Sequence, residues 1–146
     1  MARLQSKSLA APDEVRRTPY GRVDIYTLDD LVIGRTEFEP GWHWVEHVQP
    51  LAGTRLCQYH HVGVCLQGRL GIRMEDGTTL EVGAGTVFDI PPGHDGWVIG
   101  DEPWVTYDVA GMRSFARVAE NTERVLGAVL FTDIVGSTTL TQRVGD

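Results

Sequence analysis

Leu70-Gly-Ile-Arg-Met74-Glu75-Asp76-Gly77-Thr78-Thr79-Leu-Glu-Val82 reads as two short β-runs folded back on each other. Leu70, Ile72 and Met74 alternate with Gly71 and Arg73, the two-residue period of a strand with one buried face. Asp76-Gly77 predicts a two-residue hairpin between the runs, because glycine accepts the positive φ such a turn requires. Working outward, the pattern repeats. Val62–Leu66 precedes this unit and Thr86–Ile90 follows it, with Val23–Leu28 and Leu31–Phe38 on the N-terminal side and Trp104–Val109 on the C-terminal side. Asp29-Asp30, Pro40-Gly41, Gln67-Gly68, Gly83-Ala-Gly85 and Pro91-Pro92-Gly93 punctuate the runs. Short runs at a spacing of roughly ten residues, without a long helical period, predict an all-β barrel or jelly roll.

The chain has 146 residues, enough for one domain with extensions. Thirteen Lys+Arg against twenty Asp+Glu give a net charge of −7 with no basic run, which argues against nucleic acid and anionic membrane as partners. No apolar run reaches the ~18–20 residues of a membrane span, and the first residues lack the apolar stretch of a signal peptide, so a cytoplasmic location is expected. Cys57 and Cys65 are expected to be free thiols. Residues 1–20 mix charge, Ser and Pro and read as an irregular arm. Residues 21–113 form the expected barrel, 114–124 a polar linker, and 125–146 a further apolar strand and turn.

Side chains alternate across a strand, so a regular strand places Cys57, Tyr59, His61, Gly63 and Cys65 on one face. His60, Val62, Val64 and Leu66 take the other, which suits a second sheet or a dimer partner. Small Gly63 beside a histidine and soft sulfurs leaves room for a ligand or metal. Cys65 reads as a small core residue, and His43 and His60 as solvent or packing histidines. Trp42, Trp44, Trp97 and Trp104 either line a pocket mouth or fill a barrel end. Asp95 and Asp101-Glu102 either orient a histidine or form a solvated turn.

This stretch resembles the cupin family of jelly-roll β-barrels. The family's second motif begins in register at Gly85, followed after five residues by Pro91, Pro92 and Gly93; Gly96 then stands at the histidine position, with His94 two residues before it, and Gly100 at the asparagine. In the first motif Gly41 is followed after five residues by His47, Gln49 takes the second histidine position, and His61 stands at the glutamate, six residues before Gly68. About seven or eight extra residues within Pro50–Cys57 separate the halves. The resemblance implies a metal set of His47, His61 and His94, with Gln49 or Cys57 as a further contributor, suited to Zn, Ni or Fe.

Val129-Leu-Phe-Thr-Asp133-Ile134-Val-Gly136-Ser137-Thr138, with Gly145-Asp146 behind it, resembles the opening of a class III adenylate/guanylate cyclase catalytic domain. The resemblance implies that Asp133 is the first ligand of the catalytic Mg or Mn ions. Ile134, Gly136, Ser137 and Thr138 become the phosphate-facing turn. The family's second metal-binding carboxylate and its base-recognising residues would lie further on, so 125–146 is expected to be the truncated start of such a domain, inactive by itself. The parent would be a nucleotidyl cyclase controlled by the barrel, a sensor that binds a small molecule, a metal or both. The alternatives are a metal-dependent cupin enzyme of the dioxygenase or isomerase type and a metal-free structural dimerisation barrel. A homodimer is expected from the unpaired apolar sheet face and tail strand.

Overall fold

The computed structural model describes residues 3–110, 112, 115 and 122–124. In chain order the elements are β1 (Glu14–Thr18), β2 (Gly21–Leu28), β3 (Leu31–Phe38), α1 (Trp44–His47), α2 (Gln49–Ala52), β4 (His61–Gln67), β5 (Arg69–Met74), β6 (Thr79–Gly83), β7 (Thr86–Ile90), β8 (His94–Ile99), β9 (Trp104–Ala110) and β10 (Thr122–Arg124). All pairing is antiparallel, in a sheet ordered β10-β1-β2-β3-β9-β4-β7 and a second ordered β6-β5-β8. The fold is all-β, a jelly roll whose inward faces share one core.

Inward positions alternate as the sequence predicts. Val23 and Ile25 of β2, Leu70 and Ile72 of β5, Phe88 and Ile90 of β7 and Trp104 of β9 are buried in that core with Phe38, Trp42 and Cys65. The predicted hairpin joins β5 to β6, with Arg73 opposite Thr79, but its turn is longer than two residues. The Gly77 N–H donates to the Met74 carbonyl at 3.0 Å, and the Met74 N–H to the Thr78 carbonyl at 2.8 Å. Gly77 has φ 91° while Asp76 keeps a negative φ, so this is a glycine-bulged turn and not the type I′ turn, which needs positive φ at both central residues.

Two expectations change. The region read as an irregular arm contains β1, whose Glu14, Val15 and Arg16 are all buried. Glu14 and Arg16 form an inward ion pair, Arg16 Nε to Glu14 Oε2 3.0 Å, and this charge concealed the strand's periodicity. Residues 122–124 of the expected linker form β10, which pairs with β1. β8 is a strand that the runs named above do not include.

Candidate metal centre and cavity

Cys57, His61 and His94 converge inside the barrel, each offering one ligand atom, with all three atoms within 4.8 Å of one another. Separate elements deliver them. His61 opens β4 with its side chain inward, and Cys57 lies just before that strand. His94 opens β8 and is tied to Cys57 by an isolated antiparallel bridge: the Cys57 N–H donates to the His94 carbonyl at 2.8 Å, and the Gly93 N–H to the Cys57 carbonyl at 2.7 Å. The Pro-Pro-Gly turn and this bridge therefore set a sulfur beside an imidazole that is 37 positions later in the chain.

Hydrogen bonding fixes the ring chemistry. His94 Nδ1 donates to the Pro91 carbonyl at 2.6 Å, so its Nε2 is the basic nitrogen. Cys57 Sγ lies 3.6 Å from His61 Nε2, close to the roughly 3.5 Å that a sulfur and a nitrogen subtend on one tetrahedral zinc. Burial pushes the Cys57 thiol up to about 12. Burial, reinforced by the neighbouring His94 and His60, pushes His61 down to about 3. Burial also lowers His94, against the Pro91 hydrogen bond. Without a cation the cluster is therefore a thiol beside two neutral imidazoles. One soft sulfur and two imidazoles fit a divalent transition ion, which supplies Lewis acidity and holds the thiolate when bound.

A cavity of ≈ 40 Å³ adjoins the cluster; His61, His94, Thr36, Trp42, Trp44 and Asp108 are among the residues that line it. That volume suits a few waters or a very small ligand group. Among the described residues, Thr36 Oγ1, Trp42 Nε1, Trp44 Nε1 and His61 Nδ1 are buried side-chain atoms without a hydrogen-bond partner. All four belong to cavity-lining residues. Both indoles can only donate, so the unmet demand is for acceptor oxygens. Burial pushes Asp108 up to about 7, against the hydrogen bond from Thr106 Oγ1 (2.8 Å), which makes it a carboxyl poised between its two forms.

His47 and Gln49 do not join this group. The residues after Gly41 wind into α1 and α2, which carry His47 outward. There it accepts the His43 N–H at Nδ1 (3.0 Å) and lies beside Tyr20, with ring centroids 4.8 Å apart. Gln49 Nε2 donates to the Arg55 carbonyl at 2.9 Å. Neither lines the cavity. Gly63 leaves no room for a ligand: a Cβ there would stand 2.3 Å from the Tyr107 carbonyl, because β9 crosses it at a bulge. His60 is exposed and meets Asp89. Asp95 does orient a histidine, but it is His43, at 2.7 Å. Trp42, Trp44 and Trp104 line the cavity, whereas Trp97 covers Gly71. Asp133, Ile134, Gly136, Ser137 and Thr138 lie outside the described residues. Sequence reasoning missed Asp108, Thr36, Met112 and Phe115. The inward parity of β9 and β3 was the available signal for the first two, while Met112 and Phe115 lie past the last strand run, where no periodicity marks them.

No protein-family model and no curated protein matches the chain. Among solved structures it is similar to a protein of unknown function from Rhizobium leguminosarum at 20% identity and TM-score 0.50, covering 74% of this chain and 96% of that one. It is also similar to AerE from Microcystis aeruginosa at 12% identity and TM-score 0.50, covering 78% and 52% respectively. A cupin-like protein from Thermotoga maritima is a third, at 16% identity and TM-score 0.45, covering 72% and 75%. At such identities the likeness is one of fold. Among the described residues no helix is long and apolar enough to cross a membrane.

Proposed function

We propose that this chain carries a cupin module that binds a divalent transition ion through Cys57, His61 and His94, together with a small oxygen-bearing ligand in the adjoining cavity. The convergence of those three donors beside a cavity, four of whose lining residues carry a buried polar atom without a partner, carries this reading. Zn, Ni and Fe are the candidate ions, and the single thiolate favours zinc. The module is a homodimer, a reading supported by exposed Leu66, Val87 and Val109 on the outer side of neighbouring strands β4, β7 and β9.

The role we assign is that of a cytoplasmic sensor in a class III adenylate/guanylate cyclase signalling protein. Residues 21–113 are its barrel, 114–124 its linker, and 125–146 the start of the catalytic domain. The support is the Phe131-Thr132-Asp133-Ile134 and Gly136-Ser137-Thr138 pattern placed directly behind the barrel. Asp108, a carboxyl near 7 in the cavity wall, favours a second reading as a metal-dependent cupin enzyme of the dioxygenase or isomerase type, since such a group can take or give a proton at neutral pH.

Native mass spectrometry with elemental analysis of the purified chain tests the binding function. One transition ion per chain is expected, and a metal-free chain that takes up none of the three ions refutes the metal half. Reading the frame beyond codon 146 tests the role: a class III catalytic domain supports the sensor, and its absence removes that assignment.

A further inference from the structure

Met112 and Phe115 follow β9 and close over the cavity as two of its walls. Met112 is fully buried against β3 at Gly34, where a Cβ would stand 2.8 Å from Met112 Cγ, so only glycine leaves it a seat. Phe115 meets the His61 ring edge-on, with centroids 4.9 Å apart at 88°. Both residues are gripped from behind by one side chain. Arg16 Nη1 donates to the Met112 carbonyl at 2.6 Å and to the Phe115 carbonyl at 2.9 Å, while its Nε is held by Glu14. The backbone of the same Arg16 pairs with Thr122 of β10, an edge strand with β1 as its neighbour in the sheet.

We propose that Arg16 couples the cavity to the chain beyond β10: the seat of Phe115 on His61 sets the position of its carbonyl, the Arg16 fork follows it, and β10 moves or firms with β1. The inference rests on the binding function above and extends it with a route from cavity to C-terminal chain. Every link is a direct contact, and a buried guanidinium holding two carbonyls has little freedom to respond without moving its own strand. A ligand shifts such an element only through differential contact with it, which the cavity-wall position of Phe115 provides.

Hydrogen exchange read by mass spectrometry on the full 146-residue chain tests this, with and without stoichiometric Zn²⁺ and with zinc content measured in parallel. Zinc holds the His61 ring in place, so amides in peptides carrying Phe115 and Thr122–Arg124 should exchange about threefold more slowly, or slower still. In Arg16→Lys, which keeps a charge for Glu14 but loses the planar fork, the effect at Thr122–Arg124 should vanish while zinc affinity stays within about threefold. Glu14→Gln/Arg16→Gln serves the same purpose if the lysine variant folds poorly. Zinc bound with unchanged exchange at Thr122–Arg124, or an effect that persists in the fork variants, overturns the coupling. If no zinc binds, the binding function fails and His61→Ala decides the coupling. Losing the ring under Phe115 should speed exchange at Thr122–Arg124 in the Arg16 background but not in Arg16→Lys, and equal exchange overturns the proposal.

Discussion

His61 Nδ1 and Asp108 Oδ2 stand 3.7 Å apart, both residues buried, with no hydrogen bond between them. Their titrations oppose each other. Burial holds Asp108 at about 7, against 3.8 for a free aspartate, so its contribution to stability is complete below 3.8 and is lost as pH rises through about 7. His61 sits at about 3 against 6.5, so its contribution is complete above 6.5 and is lost as pH falls towards 3. Between 3.8 and 6.5 the native pair keeps one proton on Asp108 and the unfolded chain keeps one on the histidine, so the two slopes cancel.

Replacing Asp108 with Asn therefore exposes the histidine slope. Relative to the parent, Asp108→Asn should be more stable at pH 8 by on the order of 2–4 kcal/mol and nearly equal at pH 4. The variant alone should lose stability as pH falls below 6.5. Urea unfolding in the presence of a chelator measures this, and the same difference at both pH values would exclude a buried, up-shifted carboxyl.

For the metal, Cys57→Ala, His61→Ala and His94→Ala should each lower zinc affinity by more than the ~10–100-fold typical of losing an outer partner of a ligand. His47→Ala, Gln49→Ala and His43→Ala should leave it within a few fold. Competition with a chromogenic chelator gives the values. Equal losses in the His47 and His61 variants would restore the site that motif spacing implies.

Gly63→Ala should destabilise the barrel by about 1–3 kcal/mol or more, because its methyl would meet the Tyr107 carbonyl, Asp108 Cα and Phe88 Cζ. Gly77→Ala meets nothing within 4 Å and should cost only the strain of its positive φ. Thermal melts of the two variants compare a packing clash with turn strain.

In solution the chain should sediment as a dimer, and Val87→Lys should make it monomeric without unfolding it, because Val87 is 82% exposed on edge strand β7. Analytical ultracentrifugation distinguishes the two states. A parent protein that is already monomeric removes the dimer.

These 146 residues should convert neither ATP nor GTP to a cyclic nucleotide with Mg²⁺ or Mn²⁺. A two-metal site needs a second carboxylate besides Asp133 and positive charge where the transition state develops negative charge. Product formation abolished by Asp133→Ala would contradict this.

Strand alternation and turn residues made the all-β architecture legible, since Val23 to Ile25, Leu70 to Ile72 and Phe88 to Ile90 each obey a two-residue period. That grammar hid β1, because two of its inward positions are Glu14 and Arg16, polar by type yet satisfied by each other. Spacing along one regular strand suggested that Cys57 and His61 share a side, but the strand begins at His61, and Cys57 is held by its bridge to His94, a long-range pairing no local pattern contains. His47 was misplaced because motif spacing assumes an extended chain where α1 and α2 coil it. The turn at Asp76-Gly77 was placed correctly but given the wrong type, since a dipeptide does not fix the φ of its first residue.

The interleaving of β10, β1 and β2 bears on where this domain can be cut. Because the strand nearest the start of the chain lies between β2 and the last described strand, a fragment beginning at Gly21 loses Arg16, the partner of β10 and the clasp on Met112 and Phe115 together. The smallest piece that keeps those contacts runs from about Asp13, whose N–H donates to the Ile25 carbonyl at 2.8 Å, through Arg124. Glu14 lies opposite Arg124, so in such a piece a tag placed ahead of Asp13 and a partner fused after Arg124 would leave from the same end of the β1–β10 pair.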